Sequence, residues 1–329
     1  MKFLNDNIKE GRFKRTYLIC GEEDYLRKQY RDKLKEAITQ GDDMNYSYYT
    51  GKGIDCREVI DVCETLPFFA ERRLVTIEDS GFFKGSCDDV LLEYLENIPD
   101  YLTILFVENE VDKRSKMYKA VSRNGYVSEM TVQDEATLKR WVASMLSKEG
   151  KQMDMRAMER FLDCTGYSMD NIHQEIEKLI CYTMGRQQIT ADDVGEVCTV
   201  TTANKIFDMV SYVALGRQSD ALELYYDLIM LKEPPLRILF MLSRQFNLLL
   251  QVKELENEGY SRATIAKKMQ VKDFIVTKCH SQAQEWSIAK LHEALEDCAA
   301  YEEDVKRGRL NPNMCVELII IKYSQRKVS

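Results

Sequence analysis

The sequence contains few of the residues that build catalytic and metal sites. Its 329 residues include only 3 histidines, 2 tryptophans and 5 prolines, although it has 10 cysteines. No two cysteines have the C-x-x-C spacing, and the histidines are too few to supply paired zinc ligands. Several cysteines lie in apolar runs, where a free thiol packs as a small hydrophobic group. The sequence therefore predicts no metal site and favours a reducing compartment.

Long apolar runs are also absent. The longest, residues 316–321, is interrupted by Glu317 and is far shorter than the roughly 20 residues that span a bilayer. The first residues carry charge at once, so we expect no signal peptide. With 46 Lys+Arg against 54 Asp+Glu, the chain is acidic, unlike a free-standing nucleic-acid-binding protein. We expect a cytoplasmic protein with no membrane partner.

The first ~140 residues alternate strand-like and helix-like segments. Short β-branched or aromatic runs occupy residues 16–20, 46–49, 73–77, 102–107 and 126–130. Helix-patterned stretches between them cover residues 25–38, 54–65, 88–96 and 115–122. This alternation predicts βαβ crossovers and a parallel sheet with helices on both faces. The run at 103–107 is apolar without alternation, which predicts a central strand buried on both faces.

After Thr131 the pattern becomes helical. Helices predicted at 136–148, 156–164 and 172–184, with a short one after Thr190, indicate a small helical domain. A second series of predicted helices covers 205–215, 219–231, 236–256, 261–269, 273–286, 288–306 and 313–323. The connections are short, so these helices should pack as neighbours. The predicted fold class is α/β plus all-α, with domains at 1–133, 134–204 and 205–329.

This arrangement is typical of nucleotide-driven motors, but the expected phosphate loop is missing. Residues 21–28 have the sequence GEEDYLRK. Against G-x-x-x-x-G-K-[ST], Leu26 replaces the second glycine, Arg27 the lysine, and Lys28 the hydroxyl residue that binds magnesium. The strand at 102–107 continues into Glu108-Asn109 instead of the Asp-Glu pair that holds magnesium. We therefore predict no ATP hydrolysis and no bound cofactor, and no other catalytic constellation is apparent.

Two adjacent phenylalanines follow a proline where a predicted helix meets a predicted strand. Phe68 and Phe69 come directly after Pro67, and adjacent residues at such a junction cannot easily both point inward. In one interpretation, one ring caps the core and the other is partly exposed. In the other, both form an apolar wedge for a partner, since exposed aromatic residues are the usual anchors of interfaces.

Two basic stretches lie in the last predicted domain. Lys267, Lys268, Lys272 and Lys278 form the first, and residues 306–309 form the second. A solvated helix face is the default interpretation of such charges. Contact with nucleic acid inside a larger assembly is the alternative.

Along nearly its whole length the sequence resembles the delta subunit family of bacterial DNA polymerase III clamp loaders. The segments that carry the resemblance are, in chain order, YLICGEEDYL at 17–26, LPFFAERRLV at 66–75, VDKRSKMYK at 111–119, GYSMDNI at 166–172 with EIEKL at 175–179, and NKIFD at 204–208. No single motif is decisive, but five in the same order point to this family together.

The resemblance implies an AAA+-like parallel-sheet domain without a working phosphate loop, a small helical lid domain and a helical collar domain. It implies a subunit without a catalytic site of its own, within a DNA-directed DNA polymerase holoenzyme. Such a subunit binds the ring-shaped sliding clamp and opens it during loading onto primed DNA. The alternative is a nucleotide-dependent AAA+ enzyme with a divergent phosphate loop.

The resemblance also implies partners and contact residues. It assigns clamp binding to Leu66, Phe68 and Phe69, although many members have Leu where Phe68 stands. The expected partners are the beta sliding clamp and, through the collar, the tau/gamma ATPase subunits and delta-prime. Primer–template DNA is expected only within the assembled loader.

Overall fold

A five-stranded parallel sheet organises the first part of the chain. The computed structural model describes residues 2–85, 89–271 and 273–325. The strands are β1 (Thr16–Cys20), β2 (Tyr46–Thr50), β3 (Arg73–Glu78), β4 (Leu102–Glu108) and β5 (Tyr126–Glu129). Their order across the sheet is β2-β3-β4-β1-β5, and every pair is parallel. Strand β4 is buried at every residue, as the apolar run at 103–107 predicted, and so is β1.

Helices connect these strands and cover the sheet. Within residues 2–85 and 89–133 they are α1 (Lys2–Glu10), α2 (Asp24–Thr39), α3 (Cys56–Cys63), α4 (Asp89–Tyr94) and α5 (Lys116–Asn124). The sequence did not predict α1, which has few apolar residues. It is held by buried Leu4 and by Phe3, whose ring stacks on Tyr126 with centroids 4.2 Å apart. The predicted helix start at Asp88 lies outside the described residues.

The second part of the chain is almost entirely helical. Its first helices are α6 (Glu135–Lys148), α7 (Met155–Thr165), α8 (Met169–Tyr182) and α9 (Ala191–Val197). Two short parallel strands, β6 (Gln152–Met153) and β7 (Gln188–Ile189), join this group and were not predicted. They have two residues each, which is too short to produce a recognisable pattern. Ser168 caps α8 by accepting a hydrogen bond from the Asn171 amide.

The remaining helices share one large apolar core. They are α10 (Thr202–Ala214), α11 (Gln218–Met230), α12 (Pro235–Asn257), α13 (Arg262–Met269), α14 (Asp273–Ala283), α15 (Ile288–Lys306) and α16 (Pro312–Ser324). The long helix α12 starts at Pro235, whose fixed φ suits the first helical turn. Phe246 of α12 packs against Trp286 and Tyr323 in this core. The fold class predicted from the sequence, α/β plus all-α, is confirmed.

The chain forms two compact units, Met1–Gln133 and Asp134–Ser329. Within the second unit, contacts cross the predicted lid–collar boundary. Lys278 Nζ donates to Asn204 Oδ1 at 3.4 Å, and the Tyr167 ring lies against Phe274. The division of this unit near residue 204 stays a prediction. No helix in the described ranges is long and apolar enough to cross a membrane.

Apart from Cys56, the described cysteines are free thiols. Most are buried, and burial raises the pKa of Cys20 to about 11 and that of Cys63 to about 12. These thiols stay protonated at neutral pH, so they act as small hydrophobic groups. Cys87 lies outside the described residues.

Candidate functional site

Leu66, Phe68 and Phe69 lie on one surface loop between α3 and β3. We call residues 66–69 the apolar loop. The exposed fractions are 70% for Leu66, 54% for Phe68 and 94% for Phe69. The two phenylalanine rings contact each other edge to face, with centroids 4.5 Å apart. The first interpretation, in which one ring caps the core, is therefore wrong, and the structure brings all three predicted residues together at the surface.

Tyr101 anchors both ends of the segment that contains the apolar loop. Its hydroxyl donates to the Glu64 carbonyl at 3.3 Å, where α3 ends. Its own carbonyl accepts a hydrogen bond of 2.8 Å from the Arg73 amide, where β3 begins. The segment therefore leaves the helix and enters the strand at fixed points.

The middle of the loop is held by Asn45, which lies in a 3₁₀ turn, Asp43–Asn45, directly before β2. Its side-chain Oδ1 accepts from the Phe68 amide at 2.6 Å, and its Nδ2 donates to the Phe68 carbonyl at 2.9 Å. Asn45 is completely buried. Phe69 follows with φ of 49°, in the left-handed region that an aromatic residue rarely adopts.

The loop after β1 makes its hydrogen bonds within the protein. The Gly21 amide donates to the carbonyls of Glu108 and Asn109, and the Glu23 amide donates to Met130 at 3.0 Å. A working phosphate loop points such amide groups at its ligand. Gly21 has φ of 125°, and a Cβ there would lie 2.3 Å from the Met130 carbonyl oxygen. Glycine at this position therefore allows the backbone at Gly21 to lie close to the backbone at Met130.

Arg27 stands where a phosphate-binding lysine would be, and its guanidinium is occupied by the loop itself. It donates to the Gly21 carbonyl, to Asp24 Oδ1 at 2.8 Å and to Asn109 Oδ1 at 3.3 Å. The side chain is almost fully buried. The positive charge is thus compensated internally, and Asp24 also pairs with Lys28 at 2.6 Å.

Glu108, at the end of β4, is likewise engaged inside its own unit. Its Oε1 accepts from the amide and the hydroxyl of Ser80, at 2.9 and 2.5 Å. Burial raises the pKa of this carboxyl group, and the hydrogen bonds from Ser80 oppose that rise. Glu108 and Asn109 therefore support the sheet edge and the Arg27 side chain. Within the described residues, no group of three or more His, Cys, Asp or Glu could hold a metal ion.

The second unit exposes several large apolar side chains on α11 and α12 and just after α11. Met230 is 82% exposed, and Leu231, Tyr226 and Phe240 are also at the surface. Exposed aromatic and methionine side chains are typical of interfaces between proteins.

Two family models match this chain. A model described as "DNA polymerase III, delta subunit" matches residues 17–131, and one described as "DNA polymerase III delta subunit, C-terminal domain" matches residues 203–323. The first range covers the apolar loop and all but one residue of the sheet, and the second covers helices α10 to α16 except for one residue at each end. The chain belongs to the DNA polymerase III delta subunit family.

Relatives of this delta-family chain cover nearly its whole length. The DNA polymerase III subunit delta of Bacillus subtilis is 24% identical over 332 aligned positions, which cover 97% of this chain and 96% of the relative. A probable DNA polymerase III subunit delta of Aquifex aeolicus is 26% identical over 257 positions, covering 74% and 72%. The solved structure of a DNA clamp loader delta protein from B. subtilis superimposes with a TM-score of 0.74. That match has 24% identity and covers 99% of this chain and 100% of the other. It shows that the two proteins share one fold.

The basic stretches of this delta-family chain differ in how their charges are compensated. Lys306 donates to Glu302 at 2.6 Å, Arg307 pairs with Glu303, and Arg309 lies 3.7 Å from Asp304. This second stretch is therefore neutralised by carboxylates of its own helix. In the first, Lys268 lies over the Tyr260 ring and Lys278 over the Phe207 ring. Lys272 lies outside the described residues.

Sequence reasoning identified the exposed side chains of the apolar loop but missed Asn45. An asparagine before a strand is common in turns, and its sequence position gives no sign of a contact 23 residues away. Only the parallel pairing of β2 with β3 brings the two segments side by side.

Proposed function

We propose that this chain is the non-catalytic delta subunit of a bacterial DNA polymerase III clamp loader. It binds the sliding clamp and holds one interface of the ring open during loading onto primed DNA. The observation that carries the proposal is the apolar loop, which exposes Leu66, Phe68 and Phe69 on a backbone anchored at both ends. Exposed aromatic anchors of this kind supply most of the binding energy of an interface.

The receptor is an apolar peptide pocket on one protomer of the clamp. Full burial of an aromatic side chain such as that of Phe68 or Phe69 is favourable by roughly 2–3 kcal/mol, and this free energy is not gained while the ring is exposed to water. A partner that covers them recovers that free energy. The edge-to-face contact of the two rings presents them as one unit, which suits insertion into a single pocket.

The absence of ATP hydrolysis by this chain is supported by the loop after β1. Its amides and the Arg27 guanidinium are bonded to neighbouring carbonyls and carboxylates. A nucleotide would have to break these contacts and approach past Glu22, Glu23 and Asp24. Micromolar binding of ATP with magnesium to the isolated chain would contradict this part of the proposal and favour the alternative of a divergent AAA+ enzyme.

The second unit supplies the collar through which the chain joins the tau/gamma ATPase subunits and delta-prime. The exposed apolar side chains of α11 and α12 are the candidate contacts. Primer–template DNA would be contacted only in the assembled loader, with Lys267 and Lys268 as the candidate cations. These partners place the chain in the cytoplasm.

The decisive variant is Phe68→Ala together with Phe69→Ala. Interface anchors cost at least about 2 kcal/mol each on truncation, and each 1.4 kcal/mol is about tenfold in affinity. The affinity of the double variant for the clamp, measured by surface plasmon resonance, should therefore fall by a factor on the order of a hundred or more. Its thermal midpoint should change little, because neither ring packs in the core of its own unit.

The matched control is Phe240→Ala, which removes an exposed phenylalanine from the second unit. It should leave the clamp affinity of the isolated chain unchanged. A well-folded Phe68→Ala, Phe69→Ala variant with unchanged clamp affinity would remove the apolar loop from the site.

A further inference from the structure

The apolar loop depends on a single buried side chain for its internal hydrogen bonds. Within the described residues, the backbone of residues 66–71 forms its hydrogen bonds with Asn45 alone, through the Phe68 amide and carbonyl. The side-chain oxygen of Asn45 thus bonds the Phe68 amide, and its side-chain nitrogen bonds the Phe68 carbonyl. The remaining loop backbone has no ladder or helix to hold it.

The orientation of the Asn45 amide is itself fixed. Asp42 Oδ2 accepts a hydrogen bond of 2.9 Å from Asn45 Nδ2, while Asp42 Oδ1 accepts from the Met44 amide at 2.8 Å. A carboxylate accepts hydrogen bonds and cannot donate them. Nδ2 must therefore face both Asp42 and the Phe68 carbonyl, which leaves Oδ1 for the Phe68 amide.

The contact has a consequence for Phe69. In the described residues, Phe69 is the one aromatic residue with a positive φ, and it is 94% exposed. Nothing in its own side-chain packing holds this unfavourable conformation, apart from the contact with the Phe68 ring. Such backbone conformations persist where the surroundings impose them. The Asn45 bond to the Phe68 carbonyl fixes the orientation of the peptide plane that leads into Phe69.

We propose that Asn45 is a positioning residue for clamp binding, which holds the Phe68 backbone so that both rings are presented in the binding conformation. The proposal rests on the function proposed above. A loop that is fixed before it meets its partner loses less conformational entropy on binding. Asn45 reaches the clamp only through the loop, and its removal lowers clamp affinity without removing any contact atom.

The test measures clamp affinity for Asn45→Ala in the full chain. We expect binding about tenfold weaker, which corresponds to about 1.4 kcal/mol. Asn7→Ala is the matched control, because Asn7 is also a buried asparagine of the same unit and donates to the Tyr17 hydroxyl at 3.0 Å. Asn7→Ala should lower the thermal midpoint to a similar degree and leave clamp affinity unchanged.

A double-mutant cycle separates positioning from general loss of structure. When Phe68 and Phe69 are already alanine, adding Asn45→Ala should cause no further loss of clamp affinity, since Asn45 acts through those rings. A second readout needs no clamp. Under native conditions, chymotrypsin should cut the Asn45→Ala variant after Phe68 or Phe69 several times faster than it cuts the unmodified chain. The Asn7→Ala variant should not show this increase.

Each outcome decides one proposal. If Phe68→Ala, Phe69→Ala binds the clamp normally, the proposed function fails, whatever Asn45 does. If that variant binds weakly while Asn45→Ala binds normally, or if the effects of Asn45→Ala and the loop variant add in full, the positioning role is wrong. Should Asn45→Ala fail to fold, Asn45→Ser is judged by the same criteria, since its hydroxyl keeps a polar group at this buried site but is too short to bond both backbone groups of Phe68.

Discussion

At the scale of single residues, close backbone approaches explain which glycines the first unit needs. Gly125 ends α5 with φ of −137°, which any residue can adopt. A Cβ there would nevertheless lie 2.3 Å from the carbonyl oxygen of Thr16, at the start of β1. Glycine is needed at this position because there is no room for a Cβ atom, and not because of its φ angle.

Gly125→Ala should therefore destabilise the first unit. Forcing a methyl group into a packed region typically costs about 1–3 kcal/mol, and here the opposing atom is backbone that cannot rotate away. Chemical denaturation followed by circular dichroism would measure the change in the free energy of unfolding. Gly85→Ala is the control, since a Cβ at Gly85 meets nothing within 4 Å. Equal effects of the two substitutions would contradict this account.

At the scale of helices and turns, acidic pairs act as caps. From the sequence, the pairs Asp42-Asp43 and Asp192-Asp193 are interpreted as loop solvation and helix N-terminal charge in preference to metal ligands. In the structure, Asp42 caps the 3₁₀ turn that carries Asn45. Asp193 completes a capping box with Thr190 at the start of α9 and also accepts from Arg186 at 2.9 Å. One carboxylate of each pair is thus structural.

The capping box gives stability that depends on pH. The hydrogen bonds that Asp193 accepts, first from Arg186 and then from the Thr190 amide of the box, lower the pKa of its carboxyl group from 3.8 to about 2. A carboxyl group whose pKa is lower in the folded state stabilises the fold above its unfolded pKa, and this contribution is lost as pH falls. Asp193→Asn should therefore cost about 1 kcal/mol at pH 7, as N-terminal caps do. The difference in thermal midpoint from the unmodified chain should shrink between about pH 4 and pH 2.

Asp192→Asn provides the matched control for that measurement. It removes the same charge one residue earlier, from a side chain that is almost fully exposed and lies 3.6 Å from Arg160. Its thermal midpoint should stay close to that of the unmodified chain at pH 7. A pH-independent difference between Asp193→Asn and the unmodified chain would show that the carboxylate charge is not responsible.

At the scale of the whole molecule, the two units predict a division of labour. The apolar loop lies in Met1–Gln133, while the candidate collar surface lies in Asp134–Ser329. In the second unit, Asn204 bonds to the Asp163 carbonyl, and Lys278 Nζ lies 3.4 Å from Asn204 Oδ1. These contacts join the proposed lid and collar.

Expressed separately, the fragment 134–329 should be helical and co-purify with the other loader subunits but not with the clamp. The fragment 1–133 should show the reverse behaviour. A fragment 205–329 should melt several degrees below 134–329, because it loses the packing around Asn204 and Phe274. Clamp binding by 134–329, or loader assembly by 1–133, would reverse the assignment.

Local sequence patterns are enough to predict the order and type of most elements, the absence of a phosphate-loop motif and the family. These properties depend on local patterns: apolar runs for β1 and β4, Pro235 at the start of α12, and the replacements at Leu26 and Arg27. Residues 66–69 also stood out locally, since two adjacent phenylalanines at such a junction cannot easily both point inward.

The surroundings of those residues, in contrast, depend on tertiary packing. The pairing of β2 with β3 places Asn45 beneath Phe68, and the meeting of β1, β4 and β5 surrounds Gly21 and engages Arg27. The short ladder of β6 and β7 likewise forms only when two distant segments meet. Contacts between segments far apart in the chain depend on how the sheet and helices pack. Hydrophobic periodicity predicts the type of each element, but it does not predict which distant segment that element will contact.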